Sequence, residues 1–284
     1  GSFAVQERQE PAIGPDELLL KVMASSICGT DIRIIRNGHR KLSEGQTIVL
    51  GHEFSGQIVQ AGANVVDYPV GMRVAVAPNY GCGICRMCVR GLTHMCPDYS
   101  AFGICMDGAH AQYVRIPAQV IAQGNITPLP ESLNWVQATL IEPFSCVVNG
   151  LSNCKVNLGD QVVIYGAGPI GLMHLMLANI MGAAQVIIID PQQDRLDKAL
   201  QAGAAAVVNA TAPDVREQVM ELTAGRGADV VVTACPVPAV QSQALGLLAP
   251  FGRLSLFGGL PKDVDGVKFD SNLIHYKNLV VTGM

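Results

Sequence analysis

The chain has 284 residues, of which 49% are hydrophobic and only 15% charged, enough apolar material for about two ordinary domains and too much for a disordered segment. Its formal charge of −4, from 23 acidic against 19 basic side chains, argues against nucleic acid as the main partner. Thirty glycines with no Gly-X-Y period exclude collagen.

The opening GSFAVQERQEP has neither the basic start nor the apolar centre of a signal peptide. No Asp, Glu, Lys or Arg occurs between Asp160 and Asp190, a run long enough by count to span a bilayer. Gly166, Gly168, Pro169 and Gly171 interrupt it, so strand, tight turn, helix and second strand explain it better, and no membrane partner is expected. Nine cysteines, four of them between Cys82 and Cys96, suit a metal-binding cytoplasmic protein rather than a secreted disulfide frame.

Residues 1–148 read as a β-rich domain. Leu18 to Ala24, Gly56 to Ala61, Arg73 to Ala77 and Ala111 to Ile116 are strand-like, with glycines and prolines between them, as in antiparallel structure. The texture changes over 149–284. Strands at Gln161 to Tyr165, Gln185 to Ile189, Ala205 to Val208, Val230 to Thr233, Arg253 to Phe257 and Leu279 to Val281 alternate with helical stretches. Those stretches are Ile170 to Met181, Gln193 to Gln201, Asp214 to Thr223 and Val237 to Leu248. The alternation implies an α/β class, with a parallel, doubly wound Rossmann sheet whose buried strands are continuously apolar.

Gly166-Ala167-Gly168-Pro169-Ile170-Gly171 follows the first of these strands and opens a helix. In such a G-x-G-x-x-G turn the first glycine permits the tight bend. The second lets backbone approach a pyrophosphate, and the third lets helix pack on strand. The next strand ends in Asp190, where a carboxylate can accept both ribose hydroxyls and would repel a 2′-phosphate, so NAD is expected over NADP. Arg195, further on, is placed either to pack on the adenine or to face solvent.

Cys82-x2-Cys85-x2-Cys88-x7-Cys96 supplies four thiolates on one loop, enough to close a tetrahedral zinc shell with no position left for substrate. That makes the site structural. An iron–sulfur cluster also takes four cysteines, usually at other spacings. His94 inside the loop reads as a bystander, and Cys105, Cys146, Cys154 and Cys235 as small buried residues.

Three short segments remain: Cys28-Gly29-Thr30-Asp31, Gly51-His52-Glu53 and Ile141-Glu142-Pro143. Taken with GHEFSG at 51–56, IEPF at 141–144, the cysteine loop and GAGPIG at 166–171, they make the whole chain resemble the zinc-dependent medium-chain dehydrogenases. Within these it is most similar to the polyol branch, with its sorbitol, xylitol, threonine and galactitol-phosphate dehydrogenase-like enzymes.

The resemblance implies a GroES-like catalytic domain ahead of the Rossmann domain, and two zinc ions per chain. Cys28, His52, Glu53 and Glu142 would serve the catalytic zinc, Glu142 directly or through water. Thr30 would bridge the substrate oxygen and the proton relay, and Asp31 would orient its neighbours. It implies NAD-dependent oxidation of an alcohol, polyol or sugar-derived substrate by a homodimer or homotetramer associating near the last strand. Arg33 stands where many relatives carry a histidine. In a basic loop running to Lys41 it is a candidate for holding an anionic substrate group. Relatives continue past the sixth Rossmann strand to complete the catalytic domain, so that part is expected to be missing. The competing reading is a non-catalytic dinucleotide-binding redox sensor that has lost the catalytic zinc.

Overall fold

The structure is a computed structural model that describes residues 3–39, 41–43, 45–261, 264 and 266–284. Two compact units divide the chain, Gly1–Pro143 and Phe144–Met284.

In the first unit a five-stranded antiparallel sheet is built from β1 (Leu18–Ser26), β2 (Glu53–Ala61), β3 (Arg73–Val76), β6 (Tyr113–Ile116) and β7 (Ile126–Pro128), in the order β6-β1-β2-β3-β7. A short pair, β4 (Asn79–Tyr80) and β5 (Ser100–Ala101), closes the base of the cysteine loop. Leu18, Leu20, Phe54, Ile58, Val74 and Phe102 pack inside. The β1–β2 register is interrupted twice: Val59 is extra on β2, and Met23 is extra on β1. The two interruptions compensate, so Ser26 faces Glu53 in the same register that pairs Leu18 with Ala61.

The stretch after Asp31, expected as a loop, continues helix α1 (Gly29–Asn37), whose first turn holds Thr30. Cys28 caps it. Its sulfur faces the Thr30 N–H at 3.4 Å, and the Asp31 carboxylate returns to the Cys28 N–H at 2.9 Å. Gly38, at φ +67°, ends the helix. Arg40 of the basic stretch lies outside the described residues. Two short helices, α2 (Ala118–Ala122) and α3 (Trp135–Ala138), follow on the sheet, and α4 (Ile141–Asn153) carries the division between the units.

The second unit is a six-stranded parallel sheet. Its strands are β8 (Gln161–Tyr165), β9 (Gln185–Asp190), β10 (Ala206–Asn209), β11 (Ala228–Thr233), β12 (Leu248–Leu256) and β13 (Val280–Gly283). Their order, β10-β9-β8-β11-β12-β13, is the doubly wound arrangement whose ligand crevice lies beyond the carboxyl ends of the strands. Helices α5 (Pro169–Ile180), α6 (Gln193–Gln201), α7 (Val215–Leu222) and α8 (Pro238–Ala244) make the crossovers, and α9 (Ser271–Lys277) precedes β13. The helix expected over Val237 to Leu248 stops at Ala244, and β12 begins at Leu248. The strand then breaks register against β11, with Phe251 at φ +61° before Gly252. No described helix is long and apolar enough to cross a membrane.

Candidate metal and dinucleotide sites

Sγ of Cys28, one imidazole nitrogen of His52 and a carboxylate oxygen of Glu53 all lie within 4.8 Å of one another. Two elements bring them there. Cys28 is the cap of α1, while His52 and Glu53 enter β2 beside the end of β1. His52 and Glu53 are only 4% and 6% exposed, a costly place for bare charge. Ser26 donates its hydroxyl to Glu53 Oε2, holding that carboxylate from the neighbouring strand.

Asp31, 1% exposed, lies behind them. It accepts the N–H of Cys28 at 2.9 Å and that of Gly51 at 3.4 Å. Its Oδ1 stands 3.4 Å from His52 Nδ1, and its Oδ2 stands 3.6 Å from His110 Nε2. Burial would raise the Asp31 pKa, but His110, His52 and the Cys28 N–H hold it below the usual carboxylate range. Burial likewise pushes His52 down, yet Asp31 and Cys28 lift it to about 10. The pocket thus attracts positive charge, and its sulfur, nitrogen and oxygen donors suit zinc with a position left for substrate.

Glu142 is not part of this three-donor group. It lies in the first turn of α4, where Pro143 is tolerated because the N–H groups there need no helical partner. Thr30 is two residues beyond Cys28, and its Oγ1 accepts from Arg33 Nη2 at 3.4 Å. Asp31 was expected to orient its neighbours; it accepts the N–H of Cys28 and stands beside His52. Sequence reasoning missed Ser25, Ser26 and His110. Residue identity alone does not mark them, because strand pairing and a return of the chain 85 residues from Ser25 to His110 bring them in.

The four cysteines converge as expected, all within 4.8 Å of one another. The Cys85–Cys88 and Cys85–Cys96 sulfur separations are 3.5 and 3.8 Å. A tetrahedron with ~2.3 Å zinc–sulfur bonds has edges of about 3.8 Å. The N–H of Cys88 pulls the Cys85 thiol down, whereas burial and the surrounding sulfurs push Cys88 up. Sulfurs this close repel one another as thiolates, and a dication removes that repulsion. Gly81 permits the packing, since a Cβ there would meet Cys88 Sγ at 2.4 Å. Gln123 brackets both backbone groups of Gly81. Of the remaining cysteines only Cys154 is buried; Cys105, Cys146 and Cys235 are half-exposed, contrary to expectation.

In the second unit Gly166, at φ +104°, turns the chain from β8 toward α5. Gly168 caps α5 and Pro169 occupies its first turn, followed by Ile170. A Cβ on Gly171 would meet Gly166 O at 1.8 Å, whereas one on Gly168 would meet no protein atom within 4 Å. The open side of Gly168 and the free N–H groups of the α5 N-terminus form a phosphate cradle. Asp190, 3% exposed at the end of β9, accepts the N–H of Ala167 at 2.8 Å and that of Gln192 at 2.9 Å. Arg195 Nη1 approaches it to 3.8 Å. The geometry fits a dinucleotide's pyrophosphate and ribose.

A family model described as "Alcohol dehydrogenase GroES-like domain" matches residues 14–131, and one described as "Zinc-binding dehydrogenase" matches residues 169–284. L-threonine 3-dehydrogenase of Pyrococcus abyssi is 37% identical over 275 residues, 96% of this chain and 77% of its own length. Sorbitol dehydrogenase of Bacillus subtilis is 35% identical over 250 residues, covering 87% of this chain and 69% of that protein. Among solved structures, a zinc-binding dehydrogenase of Sinorhizobium meliloti bound to NADP superposes with a TM-score of 0.92 at 33% identity, over 100% of this chain and 81% of that one. The chain therefore belongs to the zinc-dependent medium-chain dehydrogenases, in their polyol branch, and is an alcohol or polyol oxidoreductase that works with zinc and a nicotinamide dinucleotide.

Proposed function

We propose that the protein transfers a hydride between NAD and a secondary alcohol or ketone of a polyol, sugar or sugar derivative. The observation that carries the reading is the convergence of Cys28, His52 and Glu53 in a buried pocket that favours positive charge. In this reading they hold the catalytic zinc, with Glu142 reaching it directly or through water. Cys82, Cys85, Cys88 and Cys96 hold a structural zinc, residues 1–148 form the catalytic domain, and 149–284 the NAD domain. A zinc bound at the mixed site supplies a Lewis acid that lowers the pKa of an alcohol.

The chain's own residues do the rest. Thr30 offers a hydroxyl beside Cys28 to take the substrate's proton. Arg33 donates to that hydroxyl, and a guanidinium offers no lone pair to act as a base, so ribose hydroxyls of a bound dinucleotide and water would have to provide the proton's exit. Gly166, Gly168, Pro169, Ile170 and Gly171 seat the pyrophosphate. Asp190 favours the free 2′-hydroxyl of NAD, with Arg195 beside it. The guanidinium of Arg33 selects a phosphorylated or acidic substrate. The protein acts in the cytoplasm as a homodimer or homotetramer, pairing through β13, an edge strand with Val280 half-exposed.

Screening alcohols, polyols and their phosphates for NADH formation tests the reading. A substrate turned over by a chain holding about two zinc ions, and lost with Cys28→Ala, supports it. Near wild-type turnover by Cys28→Ala overturns it. Replacing Arg33 by Ala should lower kcat/KM for the anionic substrate by roughly 10- to 100-fold, leaving the neutral polyol unchanged. Light scattering giving a monomer mass would count against the assembly.

A further inference from the structure

We propose that His110 is a positioning residue for the catalytic metal site, acting through Asp31 to aim His52. The inference rests on the reading that Cys28, His52 and Glu53 hold that metal.

The Asp31 carboxylate is shared by two imidazoles. Oδ1 faces His52 Nδ1 at 3.4 Å, and Oδ2 faces His110 Nε2 at 3.6 Å. An ionised carboxylate only accepts, so both facing nitrogens carry their protons. His110 is then left with a lone pair on Nδ1, and Ser25 Oγ stands 3.0 Å from it, placed to donate. With Nδ1 facing Asp31, the other nitrogen of His52 is the one that would give up its proton to ligate a metal. One tautomer sets donor against acceptor along Ser25, His110, Asp31 and His52, with a hydrogen bond at Ser25–His110 and close ion-pair contacts at Asp31.

The backbone fixes His110 as tightly as the side chain. Its N–H donates to Leu50 O at 2.8 Å, and Ala109 N–H donates to Gly51 O at 2.9 Å, so the 108–110 segment is laced to the residues just before His52. Gly51 has φ +96°, and a Cβ there would meet His110 Nδ1 at 2.6 Å. The ring therefore occupies space that Gly51 leaves for it. Ser25 and Ser26 are adjacent on β1 and brace different groups, Ser25 holding His110 and Ser26 holding Glu53. Without His110, Asp31 loses the partner on the far side of its carboxylate from His52.

The test is zinc release from the loaded chain into a chromogenic chelator, read as a fast phase from the mixed site and a slow phase from the four cysteines. His110→Phe fills the space without a donor, and His110→Gln restores a donor. The fast phase should quicken by roughly 10- to 100-fold in His110→Phe and return to within a few-fold of wild type in His110→Gln. The slow phase should be unchanged in both, which reports that the unit remains folded. A fast phase in His110→Phe equal to wild type, or both phases quickening together, overturns the proposal. A wild-type chain releasing one zinc in a single phase, untouched by Cys28→Ala, overturns instead the metal reading beneath it, and the proposal with it.

Discussion

Asp190 Oδ2 accepts the backbone N–H of Ala167 at 2.8 Å, tying the end of the second Rossmann strand to the middle of the glycine turn. The other oxygen accepts the N–H of Gln192. The carboxylate that would meet the ribose therefore also shapes the loop that would meet the pyrophosphate. Replacing Asp190 by Ala should remove both effects. NADH affinity is expected to fall by roughly 10- to 100-fold, and NADP should lose less, which narrows the gap between the cofactors. Fluorescence titration of NADH and kcat/KM with each oxidised cofactor check this; a wild-type preference for NADP would contradict the role given to Asp190.

Gly168 and Gly171 should fail in different ways. A Cβ at Gly171 collides with Gly166 O, so Gly171→Ala should unfold or strongly destabilise the second unit. Gly168→Ala meets no protein atom, so it should keep its Tm and still lose the dinucleotide, whose phosphates need that space. Thermal melts paired with NADH titration separate the two. Equal Tm losses would show that the open side of Gly168 is not reserved for a ligand.

The two metal sites should separate by stability. Cys88→Ala is expected to lower the Tm and solubility, because structural zinc contributes folding energy directly. Cys28→Ala should abolish turnover with a smaller loss of Tm. Chelators should strip the mixed site before the thiolate site. Metal analysis along a chelator titration, with activity followed in parallel, would show the opposite order if the assignments were reversed.

His174 gives the fold an acid limit. It is fully buried in α5, its Nδ1 donates to Ile170 O at 2.9 Å, and its ring stands edge-on to Phe257 at 4.5 Å. Burial pushes its pKa down to about 4, a displacement the Ile170 bond only partly offsets. The unfolded chain takes up this proton near pH 6.5 and the folded chain only near 4. The stability from neutral His174 is thus complete above pH 6.5 and is lost as pH falls toward 4, about 3 kcal/mol in all. His174→Gln should flatten the Tm-against-pH curve across that window; parallel curves would assign the acid sensitivity elsewhere.

The parts legible in the sequence are those whose chemistry is local. The glycine turn and the cysteine loop each lie within one short stretch, and strands such as Gln161–Tyr165 announce themselves by an unbroken apolar run, here Val162 to Tyr165. Helix α1 was hidden because Cys28 is an unusual cap and Ile32, Ile34 and Ile35 favour strands. Pro143 concealed the start of α4. His110 escaped because its partners, Ser25 and Asp31, become neighbours only after the sheet has formed.

The paired irregularities of β1 and β2 bear on how this chain tolerates insertion and deletion. Met23 and Val59 are each unmatched, and one offsets the other, which returns Ser26 to a position opposite Glu53. Because successive residues of a strand point to opposite faces, losing either one alone would turn Glu53 away from Cys28 or carry Ser26 past it. Losing both would leave the pairing intact. The placement of Ser26 against Glu53 is thus indifferent to the absolute length of these two strands and sensitive to their difference.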